Sequence, residues 1–321
     1  MSDPASSVWL GSRRTRRRDV LCFAPLSISL SHNATLRSAR GDNLGNAMLI
    51  DAHCNLDDEA FAPDLDAVIA RAESAGVGVI VTAGADVASS RAAVALAERY
   101  PIVFAVVGIH PHHAASCDRQ GLAAIRDLAS RRKVIGIGEI GLDFHSLQDA
   151  SRYPDGAARA TQEQVFSAQL DLAAELGKPV VIHDRDAHAA VMDILRRGAQ
   201  WNAPTRLNAP AKPRGILHCF SGDLAMAREA IDLGYLISFA GNVTFRNAPR
   251  LRALAGALPL AAIVVETDAP YLSPQRGARN EPANVARVAA RLAELRNGEP
   301  SLVAQITAEN CGALFGQSIR K

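Results

Sequence analysis

From Met48 onward the chain alternates short apolar runs with amphipathic helical stretches, and does so eight times. The runs are Leu49–His53, Val77–Gly84, Ile102–His110, Val134–Phe144, Pro179–His183, Gly215–Phe220, Tyr235–Val243 and Ala262–Asp268. They are rich in Val and Ile and show little apolar/polar alternation, the pattern of strands buried on both faces. Between them lie helical patterns such as DLDAVIARAESAG, QEQVFSAQLDLAAELG and DLAMAREAIDLG, the last two ending in a helix-stopping Gly. Eight such units predict an α/β fold, a (β/α)8 TIM-type barrel, as a single domain over residues 48–321. An open doubly wound sheet is the competing architecture. It is disfavoured by the eight-unit count and by the lack of a G-x-G-x-x-G turn after the first strand. Two further helical segments, Pro282–Arg296 and Ser301–Phe315, finish the chain.

Residues 1–47 stand outside this rhythm. They carry seven Arg and three Asp and have neither helical nor strand period. A secretory signal would place Arg13–Arg18 before an apolar stretch at Val20–Leu30, but Asp19 and Pro25 interrupt it. The segment reads as a disordered N-terminal extension, or as residues upstream of a translation start at Met48. No apolar run reaches the roughly 18–20 residues of a membrane span. The net charge of +2 is too small to draw nucleic acid by bulk attraction. The five cysteines form no C-x-x-C pair, so they are expected to be reduced thiols in a cytoplasmic protein. Cys54 and Cys219, each next to a candidate His, are expected to face away from it into the core.

In a barrel of this type the C-terminal strand ends carry the chemistry, and there the polar residues gather. Strand one ends in His53-Cys-Asn55, strand three in GIHPHH with His110, His112 and His113, and strand four in GEIGLDFH with Glu139, Asp143 and His145. Strand five ends in VVIHDRDAH with His183, Asp184 and Arg185, strand six in ILHCFSG with His218, and strand eight in VVETDAPYLSP with Glu266 and Asp268. A lone His on an apolar strand is usually a core residue, but this many at one rim predict a metal centre. Imidazoles and carboxylates without thiolate suit Zn2+, Mn2+ or Mg2+ in a hydrolytic site. The four lysines, Lys133, Lys178, Lys212 and Lys321, are all misplaced to bridge two metals after carboxylation, whereas Glu139 on strand four is well placed.

The blocks DAHCNLD, VGIHPHHA, IGEIGLDF, KPVVIHDRDA, GILHCFSG, SFAGNVTF, VVETDAPYLSP, RNEP and ITAENCGALF follow one another from about Met48 to Phe315. In these blocks the chain resembles the TatD-like family of metal-dependent deoxyribonucleases, within the amidohydrolase-type barrels. The resemblance implies a divalent-metal phosphodiesterase acting on DNA, often from a 3′ end. It implies His53, Glu139, His183, His218 and Asp268 as ligands of two divalent ions, with Glu139 bridging. The expected division is His53, Glu139 and Asp268, assisted by Asn55, for one ion, and Glu139, His183 and His218 for the other. Asp268 is expected both to ligate and to accept the proton of the attacking water. His110 is expected at the phosphate or the leaving group, His112 to orient its loop, and Glu266 to support a ligand His. Arg185 and Arg279 are expected at the substrate, against ion pairing with Asp184 or Asp186 for the first and a turn-holding role for the second.

Asn55 departs from the commoner His-x-His form. An amide oxygen suits hard cations better than Zn2+, so Mg2+ or Mn2+ is favoured, with Zn2+ as the alternative. The DNA is expected to be held by its backbone, since the barrel lacks an obvious basic stripe and aromatic residues make up 5% of the chain. Two other readings compete: a metal-dependent hydrolase of a small amide or phosphoester, and a non-catalytic binding protein on the same scaffold. The insertion Ser146–Ala160 should overhang the site, and Ala199–Arg214 should lie on the opposite face.

Overall fold

Why the apolar runs end up buried on both faces is visible in the strand order. In a computed structural model, which describes residues 48–148, 157–199 and 213–319, eight strands lie side by side in chain order, every neighbouring pair parallel. They are β1 (Leu49–Cys54), β2 (Val77–Ala83), β3 (Val103–Val107), β4 (Val134–Asp143), β5 (Val180–Arg185), β6 (Gly215–Leu217), β7 (Tyr235–Phe239) and β8 (Ile263–Val265). The helices are α1 (Leu65–Ser74), α2 (Val87–Arg99), α3 (Arg119–Ala129), α4 (Arg159–Leu176), α5 (His188–Ala199), α6 (Leu224–Asp232), α7 (Pro249–Ala257), α8 (Val285–Leu295) and α9 (Pro300–Phe315). Past the ends of β1 and β8, the Asp268 N–H donates to His53 O (3.0 Å) and the Asn55 N–H to Ala269 O (2.8 Å), which brings the sheet nearly closed as a TIM-type barrel. The segments 1–47, 149–156 and 200–212 lie outside the described residues, and with them the expectations for the N-terminal extension and most of both insertions.

Two cores result. The outer one joins strands to helices through residues such as Leu49, Ile80, Ile137 and Ile182. The inner one fills the lumen with one or more residues per strand, among them Ile50, Val81, Val106, Ile135, Val181, Ile216, Leu236 and Val264. Helix α9 closes the lumen at its N-terminal end, where Cys311, Leu314 and Phe315 pack against these residues. Asn310 fastens the helix there by donating to Leu260 O and Ile263 O (2.9 and 2.7 Å).

Local chemistry sets the element ends. Asp86, Asp118 and Asp223 cap α2, α3 and α6 by accepting from backbone N–H groups in the first turn. Gly177 stops α4 at φ 63°, as the sequence pattern anticipates. Gly141 in β4 sits at φ 138°, and a Cβ there would lie 2.1 Å from His183 O, so β4 and β5 approach more closely than any other residue permits. Lys133 and Lys178 donate to backbone carbonyls, Lys133 to Ala97 O and Tyr100 O and Lys178 to Val134 O, at the strand starts and away from the polar rim.

Candidate metal centre

Five non-glycine residues among those described have positive φ, and four of them lie just beyond or at strand ends on the polar rim: Asp186 (56°), Cys219 (44°), Asp268 (55°) and Leu272 (53°). Such conformations persist where the surroundings over-determine them, and they cluster at sites that do chemistry. At Cys219 the consequence is direct. The residue lies beyond β6, so strand alternation does not govern it, and it is not the core residue expected from the sequence. Its N–H donates to Glu266 Oε1 (2.6 Å) and its Sγ receives Asn242 Nδ2 (3.6 Å) at the rim. Cys54 does lie in the core, fully buried.

Glu139, near the middle of β4, is the hub. Four imidazoles from four different strand ends surround its carboxylate: His183 Nδ1 at 2.8 Å, His53 Nε2 and His110 Nε2 at 3.5 Å, and His218 Nε2 at 3.6 Å. The His53 and His218 rings stack with centroids 3.8 Å apart. Burial alone would raise the Glu139 carboxyl, but His110, His218 and His53 hold it well below the usual carboxylate range. Burial also lowers His53 and His110, each to about 4. For His218 burial is outweighed by Glu266 and Glu139, which hold it up at about 10. For His183 burial is outweighed by Asp143 and Glu139, which hold it at about 9.

These side chains fit a divalent cation. His53 is 1% exposed and neither of its ring nitrogens has a hydrogen-bond partner. Buried polar atoms are normally satisfied, and a cation beside Nε2 would supply a partner. Two clusters offer ligand atoms within 4.8 Å of one another: His53, Glu139 and His218, and His110, Glu139 and His183. This grouping differs from the expected one. His218 falls with His53 rather than with His183, and His110, expected at the substrate, falls among the candidate ligands. The reason is that Nδ1 of His110 accepts the His112 N–H (3.2 Å), which turns Nε2 toward Glu139. Asp268 borders the first cluster, 3.8 Å from His53 Nε2. Burial pushes its carboxyl up to about 7, helped by Glu266 and Glu139 against His218.

Asn55 lies one residue past β1, where the pairing with β2 shifts register between Asp51 and Cys54. Spacing from His53 therefore does not fix its direction. Its Nδ2 donates to Ala269 O (3.4 Å), which leaves Oδ1 as the atom available to a cation.

A further layer orients the imidazoles. Glu266 Oε1 lies 2.9 Å from His218 Nδ1. Asp143, fully buried, accepts from His112 Nε2 (2.8 Å), His183 Nε2 (3.3 Å) and the Ser146 N–H (2.7 Å). Burial would raise its carboxyl, but the hydrogen bonds from His112 and His183 keep it strongly depressed. The sequence places Asp143 at the rim without a role; its histidine partners come from the segment after β3 and from β5, the strands that flank β4 in the sheet. Asp143→Asn is expected to leave the fold intact and to cut activity and metal affinity roughly 10- to 100-fold, as losses of such orienting groups do. Unchanged metal affinity and turnover would remove Asp143 from the site.

The two arginines part company. Arg185 is exposed at the end of β5 with no ion pair among the described residues. The neighbours weighed as its partners are engaged elsewhere, Asp184 with His188 (2.8 Å) and Asp186 with His145 (2.9 Å). Arg279, expected at the substrate, instead forms a brace. It donates four hydrogen bonds from its terminal nitrogens, to Asp64, Glu281 and Ala60 O, and lies over the Phe61 ring. Beside it, Asn280 holds the same turn from within, donating to Thr267 O (2.8 Å) and Tyr271 O (2.6 Å).

Comparison with known proteins assigns the family. The sequence profile of the family described as TatD related DNase matches residues 50–316. The chain belongs to the TatD-related DNase family. It is 37% identical over 271 residues to the uncharacterized metal-dependent hydrolase YabD of Bacillus subtilis, covering 84% of this chain and 99% of that protein. It is 36% identical over 275 residues to the 3′-5′ ssDNA/RNA exonuclease TatD of Citrobacter koseri, covering 84% and 99%. The crystal structure of YJJV, a TatD homolog from Escherichia coli, superposes with a TM-score of 0.73 at 32% identity, covering 84% and 99%. As a TatD-family protein the chain is a metal-dependent hydrolase, and no helix among its described residues is long and apolar enough to cross a membrane.

Proposed function

We propose that the protein hydrolyses phosphodiester bonds of DNA from the 3′ end, with single strands as its preferred form, using two divalent cations that share Glu139. The observation that supports this most is the sharing itself: one buried carboxylate belongs to both candidate ligand clusters. His53 and His218, with Asp268 and Asn55 at the margin, would hold one cation, and His110 and His183 the other. Bound there, two cations would polarise a phosphate and acidify a water. The residues supply the rest. Asp268 is in position to take the water's proton on a carboxylate oxygen. Asp143 and Glu266 keep His183 and His218 from rotating. Arg185 offers a charge to a substrate phosphate. The exonuclease name of the Citrobacter koseri relative adds support for an end-directed reaction.

The test is digestion of 5′- and 3′-labelled single- and double-stranded DNA with Mg2+, Mn2+ or Zn2+, against a chelator control. Stepwise shortening from the 3′ end, abolished by the chelator, is expected. Inertness toward DNA alongside metal-dependent turnover of small esters or amides would replace this reading with the small-substrate one. Because Asn55 offers oxygen, Mg2+ or Mn2+ is expected to support turnover. Asn55→His is expected to tighten Zn2+ and Mn2+ binding in calorimetric titration, while unchanged affinity for every metal would place residue 55 out of reach of the cation.

A further inference from the structure

Only three large apolar or aromatic side chains among the described residues are exposed: Met48 (39%), Tyr271 (56%) and Leu302 (50%). Met48 precedes β1, at the end of the barrel away from the centre, and Leu302 lies on the outer helix α9. Tyr271 stands on the rim, three residues after Asp268. It is exposed yet fixed at both ends. Its N–H donates to Asp268 O (2.9 Å) and its carbonyl accepts from Asn280 Nδ2 (2.6 Å). Its hydroxyl donates to Asp58 Oδ2 (2.8 Å), on the loop that follows β1. With the hydroxyl engaged, what Tyr271 offers to a ligand is the ring.

We propose that Tyr271 is the platform on which a nucleobase flanking the scissile phosphate stacks. This rests on the phosphodiesterase reading above and names how that site holds its polymer. Stacking is tolerant of base identity, which suits a barrel whose sequence carries no obvious basic stripe. The charges around the rim fix the orientation. Asp57 and Asp58 share the Tyr271 side, following β1, and repel phosphate. Arg185, at the end of β5 and hence across the barrel from β1, attracts it. A strand end therefore lies with its backbone toward Arg185 and a base toward Tyr271. A neutral, flat, amphipathic group is what a tethered phenol ring beside carboxylates accepts.

The experiment compares metal-loaded wild type, Tyr271→Ala and Tyr271→Phe on two substrates: a single-stranded oligonucleotide, and the same oligonucleotide with abasic residues at its last two 3′ positions. Tyr271→Ala is expected to lower kcat/KM on the normal end by roughly 10- to 100-fold, chiefly through KM. On the abasic end it is expected to change nothing, and Tyr271→Phe, which keeps the ring but not the bond to Asp58, is expected to stay near wild type on both. A second readout is the fluorescence of 2-aminopurine placed at either of the last two positions of a phosphorothioate-ended strand. Quenching by wild type and Tyr271→Phe but not by Tyr271→Ala is expected. Equal KM for Tyr271→Ala and wild type on the normal end, or equal losses on normal and abasic ends, overturns the platform and leaves the nuclease reading standing. A wild-type protein inert toward both oligonucleotides under every metal overturns the nuclease reading and the platform with it.

Discussion

Glu139→Gln is expected to lower kcat/KM by on the order of 10³-fold, several kcal/mol of transition-state stabilisation, while the barrel stays folded. The substitution keeps the shape of the side chain and removes the charge that four imidazoles converge on. A glutamine presents one oxygen and one N–H2, so it can serve one cation cluster but not both. Metal analysis is therefore expected to show a reduced stoichiometry, with circular dichroism unchanged. Near-normal turnover at saturating metal would sink the shared-carboxylate arrangement, whatever metal is used.

Asp268→Asn is expected to separate binding from chemistry. Asn tolerates the left-handed φ of 55° at this position as few other residues do, so the turn and its link to His53 O are kept. What is lost is a basic oxygen beside His53. General-base groups contribute about 10²- to 10⁴-fold, and a fall of that size is expected in kcat, with KM nearly unchanged. A loss confined to KM, with kcat retained, would assign Asp268 to substrate or metal binding alone. Asp268→Ala is a poorer test because a β-carbon without a polar group is strained at that φ.

The barrel was legible because fully buried parallel strands leave a signature that amphipathic helices punctuate. All eight strands lie where the apolar runs place them. Their C-terminal ends are less legible. The run Tyr235–Val243 continues past the ladder, which ends at Phe239, and the run Ala262–Asp268 outlasts β8, which ends at Val265. Hydrophobicity records burial, and the loops that turn inward over the lumen are as buried as the strands. The candidate site shows the same division. Spacing identifies which end of the barrel a His occupies, but not which His lies across the lumen from it. That is why the expected grouping sets His218 with His183 rather than with His53, and why Asp143, whose histidine partners come from elsewhere in the chain, carries no expected role. Arg279 is a further case: a guanidinium reads the same in sequence whether it faces a phosphate or, as here, Asp64 and Glu281.

Helix α9 gives the barrel a floor, and the floor has a consequence for traffic. With Phe315 and Leu314 seated beneath the strands, nothing enters from below and nothing leaves that way. Glu139, near the middle of β4, lies above this floor. A polymer therefore cannot pass through the lumen; it can only meet the centre from the rim side. Substrate and products would share that one face, so a product must leave it before the next substrate settles there.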